Sequence, residues 1–280
     1  MQPTREIKMP NLSVTASVQT DTGCVREANE DNGRHITPFA PETQNQRGTL
    51  TIVADGMGGH SSGEVASEMA IELISRFYYE DDSDASSSDA LRNAIEQASS
   101  QIYETSITDE KYFGMGTTVV ALALLNDTAF AAHVGDSRLY RLRRREMERL
   151  TIDHSQVMEM VKKGVISMAE AHTHDDKNVI LRAVGTQPTV EVEVSEPFYV
   201  EAGDEFMLCS DGLCDMVEDA EMREVWLGAN DIHQACEQLI DLAKRHGGHD
   251  NITVGIVRVA AANEVETSRK VRVTREIEVL

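Results

Sequence analysis

Residues 116–143, GTTVVALALLNDTAFAAHVGDSRLYRLR, alternate between apolar runs and short turns. The run GTTVVALALL turns at Asn126-Asp127 into TAFAAHV, and Gly135-Asp136 then leads into SRLYRLR. Asn, Asp and Gly adopt tight-turn conformations readily, so such pairs between two apolar runs are typical of β-hairpins. The stretch therefore predicts an antiparallel meander, which continues through MERL to residue 150.

Strand and helix patterns continue on both sides of this meander. Helical apolar spacing follows Ser61 or Ser62, either of which can cap a helix, and it recurs from Leu91 and over roughly 218–246. Strands joined in hairpins, with helices grouped between them, predict two antiparallel sheets with helices packed outside, and not a Rossmann-type sheet. The other strand patterns lie at 13–20, 33–39, 48–54, 190–194, 204–210 and 251–260.

The composition excludes several classes of partner. The formal net charge is −22, from 26 Lys and Arg against 48 Asp and Glu. Such a chain repels nucleic acid phosphates and anionic membrane surfaces, so we expect no nucleic acid or membrane partner. The longest apolar run, VVALALL at 119–125, is too short to span a bilayer, and the N-terminus lacks the apolar segment of a signal peptide. We therefore expect a cytoplasmic protein.

The chain of 280 residues contains no stretch rich enough in Pro, Gly or Ser to divide it. We expect one domain over residues 1–280, with its core at about 12–259. In the tail, 260–280, the segment KVRVTREIEV alternates, and it either adds an edge strand or pairs outside the domain. The cysteines lack the spacing of a zinc or redox motif and are expected to be small buried apolar residues: Cys24, Cys209, Cys214 and Cys236.

Acidic residues recur at the ends of the predicted core strands. The acidic pair Glu30-Asp31 also ends the loop after the first strand. Strand ends on one rim of a sheet lie close together, so these carboxylates can converge. The strand-end residues are Asp55 after TIVA, Asp136 after AHVG, Asp211 after FMLCS and Asp250 before NITV.

Converging carboxylates suggest a cation site. Two ionised carboxylates 4 Å apart repel by about 1–4 kcal/mol at effective dielectric constants of 80 to 20, and a bound divalent cation removes that cost. Oxygen ligands without paired His or Cys favour hard ions such as Mg²⁺ or Mn²⁺. The alternative is a set of Asp residues that only cap turns.

Seven short motifs follow one another along the chain. They are REANED at 26–31, DGMGGH at 55–60, GTT at 116–118, GDSR at 135–138, LTIDHS at 150–155, SDGL at 210–213 and DNIT at 250–253. In these motifs and their order the chain resembles the metal-dependent serine/threonine protein phosphatases (PPM, type 2C class), in their bacterial subclass, over about residues 12–259.

The resemblance implies an α+β fold, a sandwich of two antiparallel sheets flanked by helices in four αββα layers, with metals in a cleft at one sheet rim. It also implies that residues of about 156–185 form a flap beside the active site. The expected cofactors are two Mn²⁺ or Mg²⁺ ions, with a third in bacterial members. In that scheme Asp55 bridges the two ions, Asp211 and Asp250 hold the first, Asp31, Glu30 and the Gly56 carbonyl hold the second, and Asp136 with Asp211 holds the third.

The implied chemistry is hydrolysis of a phosphate monoester. A water that bridges two metal ions attacks phosphorus in line, so no phosphoenzyme is needed. The expected catalytic residues are Arg26, Asp55 and Asp211. Arg26 suits a substrate-binding phosphate clamp, because its planar guanidinium binds two oxygens at once. Its alternative role is a loop salt bridge with Glu27 or Glu30.

The leaving-group acid stays unassigned. Animal members of the family carry a histidine directly after the Asp-Gly pair, where this chain has Met57. His60 is either catalytic or a loop-structuring residue. We expect Asp153-His154-Ser155 to be a packed turn, since adjacent residues cannot form a catalytic triad. His172 and His174 could bind a metal ion, but they lie in the irregular region 156–185, so we expect both to be exposed.

The resulting prediction is a protein phosphatase that acts on phosphoserine and phosphothreonine and opposes a bacterial serine/threonine protein kinase. Its partners would be phosphorylated proteins, the kinase and the substrates of that kinase. Two alternatives stay open. One is a catalytically silent module of the same fold that binds phosphoproteins, and the other is a hydrolase of small phosphoesters.

Overall fold

The computed structural model describes residues 12–58, 62–81, 83 and 85–262. His60 and the tail segment KVRVTREIEV lie outside these residues, so their expected roles stay predictions. Within the described part, no helix is both long and apolar enough to cross a bilayer.

The first sheet contains five antiparallel strands in the order β1-β12-β11-β7-β8. The chain termini of the described core pair with each other, because β1 runs antiparallel to β12 from Leu12 opposite Ala261 to Asp21 opposite Ile252. The strands are β1 (Leu12–Asp21), β7 (Arg138–Arg143), β8 (Glu146–Arg149), β11 (Glu205–Cys209) and β12 (Ile252–Ala261).

The second sheet has seven strands, with the path β10-β6-β5-β3-β2, β4 beside β3, and β9 beside β6. Two hairpins of the meander predicted from residue 116 onwards are confirmed, β5–β6 and β7–β8. The predicted turn at Gly135-Asp136 is not a hairpin, because β6 and β7 lie in different sheets and the chain crosses from the second sheet to the first there. The strands are β2 (Asp31–Ile36), β3 (Thr49–Met57), β4 (Gly116–Thr117), β5 (Val119–Leu125), β6 (Thr128–Val134), β9 (Glu193–Val194) and β10 (Phe198–Tyr199).

Helices cover the outer faces of both sheets. The helices α2 and α3 share one apolar cluster with the second sheet, and α7 and α8 share another with the first. A third cluster fills the space between the sheets, so the predicted αββα sandwich is confirmed. The helices are α1 (Pro41–Arg47), α2 (Ser62–Tyr79), α3 (Ser87–Thr108), α4 (Gln156–Lys162), α5 (Met168–His172), α6 (Asp211–Cys214), α7 (Asp219–Gly228) and α8 (Ile232–Arg245).

Burial on both faces explains the unbroken apolar run of β5. Successive side chains of a strand point to opposite faces. Accordingly, Val119, Ala121 and Ala123 belong to the cluster under α2 and α3. The alternate residues Val120, Leu122 and Leu124 belong to the cluster between the sheets.

Two further sequence-based expectations are wrong. The alternating segment 190–194 was expected to be a strand, but only Glu193–Val194 pairs, with Ala132 and His133 at the edge of the sheet. Val190 and Val192 pack against the core without joining the ladder, because alternation reports burial and not strand pairing. The cysteines are not all buried either: Cys24 is exposed and Cys214 is half-buried.

We predict that Leu122→Ala lowers the free energy of unfolding by about 2–5 kcal/mol, because it opens a cavity between the sheets. Leu181→Ala, the same change at a side chain that is 52% exposed, should cost about 0.5 kcal/mol or less. Urea unfolding followed by circular dichroism measures both. Equal losses in the two variants would contradict the packing described.

Candidate active site

The acidic residues predicted at strand ends meet at one rim of the sandwich. Asp31 at the start of β2 lies directly opposite Asp55 near the end of β3 in the antiparallel register. The Asp55 and Asp211 carboxyl groups lie close enough that each shifts the pKa of the other. Asp136 and Asp250 are near enough for their charges to act on this pair. The structure thus brings the predicted Asp residues together.

The GTT motif holds the Asp55 backbone. The Asp55 carbonyl accepts hydrogen bonds from Thr117 Oγ1 (2.9 Å) and from the Thr118 backbone N–H (2.8 Å). Both threonines are buried, so these bonds are shielded from water. They fix the end of β3 where it delivers its carboxylate.

The glycine after Asp55 permits a close approach of three chain segments. The Gly56 N–H donates to the Glu30 carbonyl over 3.1 Å. A Cβ atom on Gly56 would overlap the carbonyl oxygen of Gly63 at the start of α2. Only glycine fits here, and the Glu30 loop, β3 and α2 meet as a result.

Ser210 of the SDGL motif positions Asp31. Its hydroxyl donates to Asp31 Oδ2 over 2.7 Å and accepts from the Thr253 N–H over 3.0 Å. One neutral side chain therefore links β2 of one sheet to the β11–β12 pair of the other. The sequence shows Ser210 only as part of the SDGL motif, so its hydrogen bond to Asp31 could not be predicted.

Asn251 of the DNIT motif anchors the loop that carries Arg26. Its amide group donates to the carbonyls of Thr22 (3.0 Å) and Ala28 (2.9 Å). Its side-chain oxygen accepts from the Glu30 N–H over 2.8 Å. The sequence did not predict this role of Asn251 either. Its position inside the DNIT motif was the one feature of the sequence that pointed to it.

Arg26 lies at the rim and pairs with Asp250, over 2.7 Å between Nη2 and Oδ2. Its side chain is 50% exposed, so it can reach solvent or a ligand. The structure thus forms an ion pair different from the expected alternatives with Glu27 or Glu30. Burial raises the pKa of Glu30 beside it.

Burial and mutual repulsion shift the acidic groups. Burial, together with the charges of Asp211 and Asp250, raises the pKa of Asp31 to about 7. Burial and the nearby Asp215 raise the pKa of Asp211 to about 6. The pKa values of Asp55 and Asp136 are raised well above the usual range, again chiefly by burial and then by the neighbouring carboxylates. Without a bound cation the acidic cluster therefore retains protons, which a cation would displace.

Several oxygens at the rim have no donor. Asp31 Oδ1, Asp136 Oδ1 and Asp211 Oδ1 are buried and lack a hydrogen-bond partner among the described residues. Buried acceptors are normally paired, so such atoms call for an explanation. Carboxylate oxygens that face one another without donors fit a hard divalent cation.

Three other residues singled out in the sequence, Met57, His172 and His174, have no described contact with the acidic cluster. Met57 is half-buried and pairs with Gly116 on β4. His174 is half-buried beside Asp176, at 3.8 Å, so the expectation that it is exposed is wrong. The His172 side chain is not among the described groups.

We predict that the cation-free protein loses stability as pH rises from 5.5 to 8.0. The folded-state pKa values of Asp31 and Asp211 lie above the unfolded value of 3.8, so folding favours the protonated groups and this stabilisation is lost as pH passes about 6 and 7. Mn²⁺ should therefore raise Tm more at pH 8.0 than at pH 5.5, by roughly 5 °C. Differential scanning calorimetry with and without chelator measures this.

A matched pair of variants controls for overall charge. Without cation at pH 8.0, Asp31→Asn should raise Tm because it removes a repelling carboxylate from the rim. Asp241→Asn, an exposed position on α8, should leave Tm unchanged. Equal effects of the two changes would attribute the pH dependence to net charge alone.

Comparison with known proteins assigns the chain to a family. The protein phosphatase 2C family model matches residues 39–247. The serine/threonine phosphatase Stp of Listeria innocua is 39% identical over 246 residues, which cover 86% of this chain and 94% of that protein.

Solved structures agree with this assignment. Serine/threonine phosphatase Stp1 from Staphylococcus aureus superimposes with a TM-score of 0.80 at 32% identity, covering 92% of this chain and 99% of that one. The catalytic domain of serine threonine protein phosphatase PstP, in complex with 2 manganese ions, gives a TM-score of 0.75 at 34% identity, covering 89% and 99%. The resemblance seen in the motifs is confirmed, and this chain belongs to the protein phosphatase 2C family of metal-dependent phosphatases.

Proposed function

We propose that this protein is a Mn²⁺- or Mg²⁺-dependent phosphatase that removes phosphate from phosphoserine and phosphothreonine in proteins. The observation that carries the proposal is the set of buried carboxylate oxygens without donors at the rim. The family and the names of the relatives support the reaction class.

The residues that would hold the ions follow from their placement. Asp55 is central, because the charges of Asp31, Asp211 and Asp136 all raise the pKa of its carboxyl group. In this proposal Asp55 would help to hold two ions, the first together with Asp211 and Asp250. Asp31, Glu30 and the Gly56 carbonyl would hold the second ion with it, and Asp136 with Asp211 would hold a weaker third one.

Bound ions would neutralise the phosphoryl oxygens and lower the pKa of a water that attacks phosphorus in line, without a phosphoenzyme. The protein itself must bind the substrate and keep the acidic residues in position. Its rim is acidic and by itself repels a phosphate dianion, so substrate binding depends on compensation of the Asp charges. The donors on Thr117, Thr118 and Ser210 keep the acidic residues oriented.

Arg26 is proposed to bind the phosphate of the substrate. Its guanidinium is half exposed at the rim and Asp250 keeps it there. A planar guanidinium donates two parallel hydrogen bonds to a phosphate, which orients the phosphoryl group as well as attracting it. The leaving-group acid stays unassigned, because Met57 has no proton to donate.

Two other functions are separable by experiment. A silent phosphoprotein-binding module would not need the complete acidic set that the rim presents. A hydrolase of small phosphoesters would cleave p-nitrophenyl phosphate but discriminate little among peptides. Substantially faster hydrolysis of particular phosphoserine or phosphothreonine peptides would favour the protein phosphatase. Opposition to a serine/threonine kinase in the cytoplasm is part of the proposal, since such a kinase makes the substrate.

We predict that Asp211→Asn lowers kcat/KM for a phosphothreonine peptide about 100-fold or more in saturating Mn²⁺, because it removes a ligand and a charge from the rim. Exhaustive chelation should abolish the activity of the unmodified protein. Asp241→Asn on the exposed face of α8 is the matched control and should retain full activity. Full activity in Asp211→Asn, or after chelation, would falsify the metal-dependent mechanism.

We predict that Arg26→Ala raises KM for phosphopeptides about tenfold and lowers kcat less, because Arg26 binds the phosphate in both the ground and transition states. Arg144→Ala, at a side chain that is 81% exposed, is the control and should change neither constant. A large fall in kcat at constant KM would instead place Arg26 in transition-state stabilisation alone.

A further inference from the structure

The turn that carries Asp136 is held by His154 from two directions. The Gly135 N–H donates to His154 Nδ1 over 3.1 Å. The His154 backbone N–H donates to the Gly135 carbonyl over 2.9 Å. Both polar groups of the Gly135 backbone are therefore bonded to the same residue.

The backbone conformation and the close packing of Gly135 also fix this turn. Its φ of +106° favours glycine, and a Cβ atom there would lie 2.6 Å from Thr118 Cγ2. Asp136 follows directly and is 7% exposed, with Oδ1 lacking a donor. The position of this carboxylate is thus set by the backbone turn and not by a hydrogen bond to Oδ1.

His154 is itself oriented by its neighbours. Because Nδ1 accepts a hydrogen bond, the ring proton of the neutral imidazole lies on Nε2, which faces Glu193 Oε2 at 3.2 Å. The ring stacks on His133 with centroids 4.5 Å apart. The His154 carbonyl accepts from the Leu181 N–H over 2.7 Å, which joins the turn to the C-terminal part of segment 156–185.

These contacts argue against a metal site at His133, His154 and Glu193, although their ligand atoms lie within 4.8 Å of one another. A metal ion lies in the plane of the imidazole that binds it, and stacked rings 15° from parallel do not share such a point. His133 Nε2 faces the Ile152 carbonyl at 2.8 Å, and His154 Nε2 carries its proton. Arg182 Nη1 also lies 3.4 Å from His154 Nε2 and would repel a cation.

We propose that His154 is a positioning residue that holds Asp136 at the metal centre through the Gly135 backbone, with Glu193 setting its tautomer. This inference rests on the proposed function, because it takes Asp136 to be a ligand of the weakly held third ion. Burial lowers the pKa of His154, in agreement with a neutral ring that accepts from Gly135. Loss of the acceptor would leave a buried N–H unpaired and free the turn to move.

Two substitutions separate this role from simple packing. Asn has an oxygen at the position of His Nδ1, so His154→Asn keeps an acceptor for the Gly135 N–H with a smaller side chain. His154→Leu fills more of the volume but provides no acceptor. A packing role predicts more damage from His154→Asn, and a positioning role predicts more damage from His154→Leu.

The test is Mn²⁺ binding to the purified full chain, measured by isothermal titration calorimetry beside the Tm without metal. We expect His154→Leu to weaken the lowest-affinity class of Mn²⁺ sites about tenfold or more, as loss of an outer-shell contact does, and to leave the tighter classes within about threefold. His154→Asn should stay within about threefold of the unmodified protein in every class. Asp136→Asn serves as the reference and should remove the weakest class.

Four outcomes would overturn the inference. In the first, His154→Leu binds Mn²⁺ as the unmodified protein does while Asp136→Asn loses the weakest class of sites. That result would refute the positioning role of His154 and leave Asp136 as a ligand. His154→Asn could be as damaging as His154→Leu, or His154→Leu could weaken all classes equally, which shows a purely structural residue. Unchanged Mn²⁺ binding in Asp136→Asn would refute the ligand role of Asp136 in the proposed function, and the positioning role with it.

Discussion

Repulsion among carboxyl groups at one rim of the sandwich is the constraint on which the surrounding structure depends. Burial is the largest cause of the raised pKa values of Asp31, Asp55, Asp136 and Asp211, and the charges of neighbouring carboxylates add to it. A fold keeps such a cluster only if the rest of the domain offsets its cost or a ligand removes it. The two sheets and their three apolar clusters supply the rigid frame that holds these groups together.

The residues that hold the cluster are mostly neutral. Ser210, Thr117, Thr118 and Asn251 act through hydroxyl, amide and backbone groups, and His154 acts through a neutral ring. A cationic partner on each carboxylate would occupy the oxygens that a metal needs and would oppose metal binding. The exception, the ion pair between Arg26 and Asp250, lies at the exposed edge of the rim, where a phosphate group can approach.

Much of the fold and of the site could be predicted because the signals are local. Apolar runs separated by Asn126-Asp127 define the β5–β6 hairpin, and an Asp beside a strand end marks its rim. The Gly135-Asp136 pair looks the same in sequence but joins strands of different sheets, because a turn signal does not report which strand a chain pairs with next. The segment 190–194 shows the limit, since alternation predicted a five-residue strand where only two residues pair. Exposure of Cys24 and His174 was likewise misjudged, because burial depends on which distant segments cover a side chain.

By itself the sequence determined the two-sheet sandwich, the motifs and the acidic residues of the rim, because strand periodicity, turn residues and motif order are properties of neighbouring positions. Only the tertiary structure decided three sets of hydrogen bonds: Ser210 to Asp31, Asn251 to the loop that carries Arg26, and Gly135 to His154. Apart from His154 and Gly135, these partners are about 180 residues or more apart in the chain. Such contacts have no periodic signature, and their hydrogen-bond geometry exists only once the two sheets are packed together.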